Sequence, residues 1–395
     1  MTEFIQQFIA KKSNELFEKV KGYREHLHQY PELSFQEENT AQFVESKLQE
    51  IGVSSIQRIG KTGVTALILG DQHTLNDSFI GLRADLDALP IVEQNERPYK
   101  SKIEGIMHAC GHDVHTSILL GVAELLLELK NELPFPIKLI FQPGEEQNPG
   151  GASILIEEGV LEQPHVSKLY ALHVFPELEV GKIGFKEGLY MASCDEIHLT
   201  IHGKGGHGAT PHQCIDPIVI GATLVTSLQQ IVSRSCDPKI PCVLTFGYFE
   251  ALGATNIIPS KAKLKGTFRT MDETWRTKAL ELIEEQINSI VATFGGTVEL
   301  EIRKGYPCLI NDESLTKELK NKSLKLFDKE DIVDLPIRLT SEDFSFYSQK
   351  APVCFFRLGV ANKERGIVYG VHHPQFDIDE NALKYGMMAM ALSVF

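Results

Sequence analysis

The sequence predicts an α/β protein: a domain with a mostly parallel central sheet flanked by helices, plus an inserted ferredoxin-like α+β domain. Three observations predict it. Over the first 190 residues short apolar runs alternate with helical patterns, as in a largely parallel sheet covered on both faces. From about Met191 the pattern becomes strand–helix–strand–strand–helix–strand, with strands that alternate apolar and polar residues. After Pro307 the first pattern returns. The expected domains are therefore 1–190 with 306–395, a discontinuous pair, and an insertion over 191–305. A chain of 395 residues is in any case too long for one typical core.

Residues 3–29 read as one amphipathic helix with Phe4, Phe8, Leu16, Val20, Tyr23 and Leu27 on its apolar side, stopped by Tyr30-Pro31-Glu32. A helix over 39–49 ends at Gly52, and strands follow over 63–69 and 78–82. The second runs into Arg83-Ala84-Asp85-Leu86-Asp87-Ala88-Leu89-Pro90. Good helix formers over 116–129 come directly after Met107-His108-Ala109-Cys110-Gly111-His112-Asp113-Val114-His115. A strand over 136–142 ends at Pro143-Gly144-Glu145-Glu146, a helix covers 152–158, and a strand over 169–172 closes on His173. The insertion has strands over 196–202, 243–250, 262–270 and 297–303, with helices over 216–233 and 273–294. Its exposed elements suit a dimer contact. The returning segment has a helix over 313–327, a strand over 352–358, the pair His372-His373 and a closing helix over 380–393.

Composition narrows the partners. A net charge of −14 without a Lys/Arg cluster argues against nucleic acid or an anionic membrane, which leaves a small molecule or peptide. Seven scattered cysteines with no C-x-x-C pair suit a reducing cytoplasm. The first twenty residues mix Lys and Glu without a continuous apolar stretch, so no secretory signal is expected, and no run is long enough to span a bilayer.

The chemistry gathers where strands end. Cys110 and His112, two apart, would leave an extended backbone on the same side and reach one metal ion, with Gly111 letting the chain bend close to it. An isolated C-G-H is more often a buried cysteine beside an ordinary histidine. Three histidines and a cysteine within eight residues, just ahead of a helix, favour a metal. At the end of a buried strand, one of Glu145 and Glu146 can ligate while the other takes a proton from water. His173, His372 and the lone turn Lys204-Gly205-Gly206-His207 read singly as structural, as do Asn256 and Arg269. Thiolate, imidazoles and carboxylate together fit one or two first-row divalent ions.

These motifs, in this order and over nearly the whole chain, resemble those of the co-catalytic metallopeptidases related to aminoacylase and bacterial glutamate carboxypeptidase. The similarity is greatest to the amidohydrolase branch, which holds N-acyl-amino-acid amidohydrolases, hippurate hydrolases and hydrolases of auxin–amino-acid conjugates. It runs through Arg24-Glu25-His26-Leu27-His28 with Pro31-Glu32, residues 82–90 and 107–115, and Phe141-Gln142-Pro143-Gly144-Glu145-Glu146. It continues through Lys204-Gly205-Gly206-His207, Asn256-Ile257-Ile258-Pro259, Ser341-Glu342-Asp343-Phe344 and His372-His373-Pro374. The resemblance implies that Cys110, His112, Glu146, His173 and His372 bind two divalent ions per subunit, Mn²⁺ or Zn²⁺ first and Co²⁺ or Ni²⁺ next. It implies Glu145 as general base and proton shuttle. It further implies that the insertion is a lid with His207, Asn256 and Arg269 on the substrate: His207 polarises the carbonyl oxygen and Arg269 holds a free carboxylate. In relatives the lids pair into a homodimer, and a lid histidine serves its own or the neighbouring site. The expected activity is hydrolysis of the amide bond in N-acyl amino acids or similar conjugates. The alternatives are a di- or aminopeptidase and a ligand-binding relative without turnover. The branch often has Ser or Asn at His373, which bears on which histidine of the pair ligates, and His372 is the one expected to; Ala is common in place of Gly144, and that departure is expected to be harmless.

Overall fold

The computed structural model describes residues 2–395 in two compact units. The first comprises the chain up to Gly188, then Ile310–Pro336 and Asp343–Phe395. The second comprises Leu189–Leu309 and Ile337–Glu342. The sequence boundaries leave that last short segment with the returning first domain.

The first unit is built on an eight-stranded sheet in the order Ser54–Ile59, Gly63–Ile68, Ile137–Gln142, Phe79–Asp85, Val166–Glu179, Val353–Ala361, Ile183–Phe185, Ile332–Asp334. Its centre is parallel: Phe79–Asp85 runs with both Ile137–Gln142 and Val166–Glu179, and Val353–Ala361 runs with Val166–Glu179. One margin and the Val353–Ala361 to Ile183–Phe185 pairing are antiparallel. Every residue of Phe79–Asp85, Ile137–Gln142 and Val353–Ala361 is buried, so these continuous apolar runs need cover on both faces. Helix His112–Glu128 gives much of that cover. It meets helix Ala382–Leu392 so closely that a Cβ on Gly121 would lie 2.5 Å from Met387 Sδ.

The long helix expected over 3–29 bends at Leu16 into Glu3–Glu15 and Phe17–Gln29. The bonds from Leu16 N–H to Lys12 O and from Val20 N–H to Leu16 O carry on across the junction, so it bends without ending.

The second unit has four antiparallel strands in the order Cys242–Glu250, Lys261–Thr270, Asp195–His202, Thr297–Lys304. With helices Pro217–Ser227 and Glu273–Thr293 this is the ferredoxin-like connection order. Ile197, Leu199, Ile201, Leu264, Phe268 and Ile283 belong to its separate core. Among the described residues no helix is long and apolar enough to cross a membrane.

Candidate metal centre

Helix His112–Glu128 starts four residues earlier than its sequence pattern suggests, because Gly111 takes a left-handed conformation (φ 86°) at its N-terminal cap. The expectation that Cys110 and His112 share a face of extended chain is therefore corrected. His112 lies on the first helical turn, and the bend at Gly111 brings Cys110 beside it. A Cβ on Gly111 would stand 2.5 Å from Val174 Cγ2, so the bend needs glycine twice over.

The strand expected to close on His173 runs on to Glu179, with His173 opposite Arg357. Partner Arg357 belongs to the last long strand, which continues the pairing past the histidine. His173 Nδ1 lies 2.7 Å from the Val174 carbonyl, which places the proton of the neutral ring there. Its Nε2 faces Cys110 Sγ at 3.4 Å. His112 is held likewise: Nδ1 is 2.8 Å from the Asp87 carbonyl and 3.2 Å from its carboxylate. His112 Nε2 is buried with no hydrogen-bond partner among the described residues.

Asp87 also fixes the acidic pair. Its Oδ1 accepts the Glu145 N–H at 3.0 Å and its Oδ2 the Glu146 N–H at 2.9 Å. His372 (φ 65°) is tied by its own N–H to Ala109 O and carries Nε2 to 3.1 Å from Glu146 Oε1. That contact has the length of a hydrogen bond but not its direction, since Glu146 Oε1 is buried without a hydrogen-bond partner among the described residues. His373 turns elsewhere: its Nδ1 accepts the Gln375 N–H and its ring stacks on Tyr369.

Donor atoms thus gather in three overlapping groups, each within 4.8 Å: Cys110, His112 and His173; Cys110, Glu146 and His372; His112, Glu145 and Glu146. His115 also lies within reach of Asp85 and His112, but both of its nitrogens are engaged. Nδ1 meets Asp85 Oδ1 at 2.6 Å, and Nε2 accepts the Val174 N–H at 2.9 Å.

Electrostatics show what this cluster would hold. Burial, then the carboxylates of Glu146, Glu145 and Asp85, pushes the Cys110 thiol far above its ordinary range. Burial opposes a charge on His112, yet Asp85 and Asp87 outweigh it and raise its pKa to about 10. Burial, with His115 and Arg357, drives His173 well below the usual imidazole range. Concentrated negative charge keeps protons on a thiol and an imidazole, and a divalent cation drawn to that charge would displace those protons. The buried unpartnered Nε2 of His112 and Oε1 of Glu146 agree with this, and sulfur, nitrogen and oxygen donors together suit first-row divalent ions. The residues fit such a centre.

A family model, Peptidase family M20/M25/M40, matches residues 81–394. The chain belongs to this family. Among M20 relatives it is 44% identical to the N-acyl-L-amino acid amidohydrolase of Geobacillus stearothermophilus over 292 residues, 74% of this chain and 78% of that one. It is 39% identical to the N-acetyl-L-cysteine deacetylase of Bacillus subtilis, covering 92% and 84%. In three dimensions it matches the crystal structure of the Bacillus subtilis YXEP protein, a dinuclear metal binding peptidase from the M20 family. There the TM-score is 0.81 at 33% identity, over 96% of this chain and 98% of that one.

In this M20 member the three expected lid residues lie in the second unit. His207 is exposed on the two-residue strand Gly206–His207, paired with Ile257, and the Gly208 N–H binds Asn256 O at 2.8 Å, so His207 and Asn256 are neighbours. Arg269, farther along, donates to Ser341 Oγ at 3.3 Å. Sequence reasoning placed Asp85 and Asp87 at a strand end and His115 in the histidine cluster without giving them a specific role, and it passed over Ser34 and Glu37. Asp87 holds His112 and both glutamate amides and also accepts the Ser34 hydroxyl at 2.6 Å. The signal was its place just past a buried strand, two residues after another aspartate. At position 144, where the branch often has Ala, Gly144 has φ 59° and the Phe35 ring occupies the place of a Cβ, so the turn in this chain takes glycine.

Proposed function

We propose that this chain hydrolyses the amide bond of N-acyl amino acids, working with two divalent cations held by Cys110, His112, Glu146, His173 and His372. The observation that carries the reading is the convergence of these five side chains from four separate chain segments, with Glu145 beside them. Cations bound there would supply Lewis acidity and lower the pKa of water toward neutrality, with Mn²⁺ or Zn²⁺ favoured by the mixed donors. Glu145 takes a proton from the attacking water as its oxygen bonds to the acyl carbon, then gives that proton to the amine nitrogen as the C–N bond breaks. His207 steadies the carbonyl oxygen as charge grows on it, Arg269 binds the amino acid carboxylate in its two-pronged grip, and Asn256 contacts the substrate beside His207. The activities in the names of the two sequence relatives support this substrate class.

The test is a panel of N-acyl amino acids and free dipeptides, run on metal-stripped enzyme restored with Mn²⁺, Zn²⁺, Co²⁺ or Ni²⁺ in turn. Hydrolysis of N-acetyl or longer N-acyl substrates over free dipeptides is expected; the opposite preference would point to a dipeptidase. Glu145→Gln should lower turnover at least about a thousandfold while metal content by mass spectrometry stays near that of wild type. Retained turnover removes Glu145 from the role.

The reading includes a homodimer through the second unit. Strand Cys242–Glu250 is an outer strand of its sheet with Tyr248 and Phe249 exposed, and Ile218 and Val219 are exposed on helix Pro217–Ser227. An uncovered apolar sheet margin is an association surface. Light scattering should give twice the 44.1 kDa chain mass, falling to one chain mass in Val219→Lys/Tyr248→Lys. A monomeric wild type sinks this part. All seven cysteines are free thiols, which supports a cytoplasmic location.

A further inference from the structure

We infer that Glu37 is a positioning residue for the Glu145 carboxylate, acting through the backbone of the turn that carries it. The inference rests on the hydrolase reading above and adds a residue that touches none of the metal-donor side chains.

Glu37 is the N-terminal cap of helix Glu38–Ile51, yet its side chain makes no capping bond. Glu32 does that work. Its Oε1 accepts the Asn39 N–H and side-chain amide, and its Oε2 accepts the Thr40 N–H and hydroxyl. Glu37 is thereby released from its own helix, and it is completely buried, where a carboxylate is costly unless bonded. Its two bonds reach distant segments. The Thr62 hydroxyl donates to Oε2 at 2.7 Å, and the Gly144 N–H donates to Oε1 at 2.8 Å.

That second bond completes a clamp. Three successive amides, of Gly144, Glu145 and Glu146, each donate to a buried carboxylate: the first to Glu37, the next two to Asp87. Peptide planes fixed in this way cannot rotate, so the direction in which Glu145 leaves the chain is set by the clamp. The Gly144 carbonyl is tied in turn by the Gly151 N–H at 3.0 Å, and the Phe35 ring lies against Gly144. Asp87 cannot be tested cleanly, because it also holds His112. Glu37 can, because its hydrogen bonds go to Thr62 and to the turn and none goes to a metal-donor side chain, and Glu37→Gln separates the turn bond from the charge it holds near Asp87.

The experiment compares Glu37→Ala, Glu37→Gln and Glu32→Ala in the full chain with restored metal. The Glu32 variant loosens the same helix start without touching the turn. Glu37→Ala should lower kcat about tenfold to a hundredfold, with KM within about twofold and metal content unchanged, because a shift of about 1 Å in a reacting group costs that much. Glu37→Gln should restore most of the rate, since its Oε1 accepts the same N–H and its amide can donate to Thr62 Oγ. Glu32→Ala should lower melting temperature with little change in kcat. The proposal is overturned if Glu37→Ala keeps kcat within twofold, if Gln fails to rescue it, or if Glu32→Ala lowers kcat equally. Should Glu37→Ala not fold, Thr62→Val stands in for it: a kcat loss of at least about threefold supports the role, and unchanged kcat overturns it. If wild type hydrolyses no substrate in the panel, the functional reading has failed, and amide hydrogen exchange still decides the positioning claim. Peptides covering 144–146 should exchange faster in the Glu37 variant than in the Glu32 variant, and equal exchange in the two overturns it.

Discussion

At Gly144 the backbone turns with φ 59°, and a Cβ there would lie 2.3, 2.5 and 2.8 Å from three atoms of the Phe35 ring. Both penalties fall on Gly144→Ala. The left-handed conformation alone costs about 1–2 kcal/mol, and the clash adds to it. Thermal unfolding should show the single variant destabilised by at least that much, and Phe35→Ala in the same chain should recover the steric share, giving a measurable coupling between the two sites. A Gly144→Ala protein within about 0.5 kcal/mol of wild type would contradict the geometry. Much of the centre was legible at this scale. Cys110, His112, Glu145 and Glu146 are candidates by their clustering and their place at strand ends, whereas His173 and His372, which read singly as structural, become candidates only through the family resemblance. Glu37 and Asp87 were not legible as anchors, since a carboxylate that binds backbone amides looks, in sequence, like any surface acid.

Strand Ile137–Gln142 buries all six of its residues, including Lys138. The Lys138 ammonium spans to the carbonyls of Val160 and Gln163 at 2.6 and 2.8 Å, pinning the turn after helix Gly151–Glu157 to the sheet. Burial lowers its pKa from 10.5 to about 8. Between those two values the unfolded chain holds more protons than the folded one, so this lysine makes stability rise with pH from 8 to 10.5. Below pH 8 both states are protonated and the burial penalty is felt in full. Measured against Lys138→Met by urea unfolding, wild type should gain up to about 3 kcal/mol across that window. Parallel curves would rule this out. Among elements, the strands buried on both faces were legible, because a short uninterrupted apolar run between turn residues must be covered from two sides at once. Ser54–Ile59 escaped, being mostly exposed and set at the sheet margin beside Gly63–Ile68. The start of helix His112–Glu128 was misplaced because a left-handed glycine can begin a helix where no side-chain cap advertises one.

For the molecule as a whole, the discontinuous arrangement was readable from the return of the first texture after Pro307. The brief excursion of Ile337–Glu342 into the second unit was not, because six residues carry no periodicity of their own. The order of the large sheet has a further outcome. Val353–Ala361 lies between Val166–Glu179 and Ile183–Phe185, strands that precede it by more than a hundred and fifty residues. A chain ending at residue 350 should therefore retain a protease-resistant fragment from the second unit while the first is digested; equal resistance of both would refute this. On the ribosome the consequence is one of timing. The central gap stays open until Val353–Ala361 has been made, so the nascent polypeptide must carry unsatisfied strand margins through the synthesis of everything between Phe185 and that strand. Emergence of Val353–Ala361, more than any local nucleation, sets the moment at which the large sheet can first close.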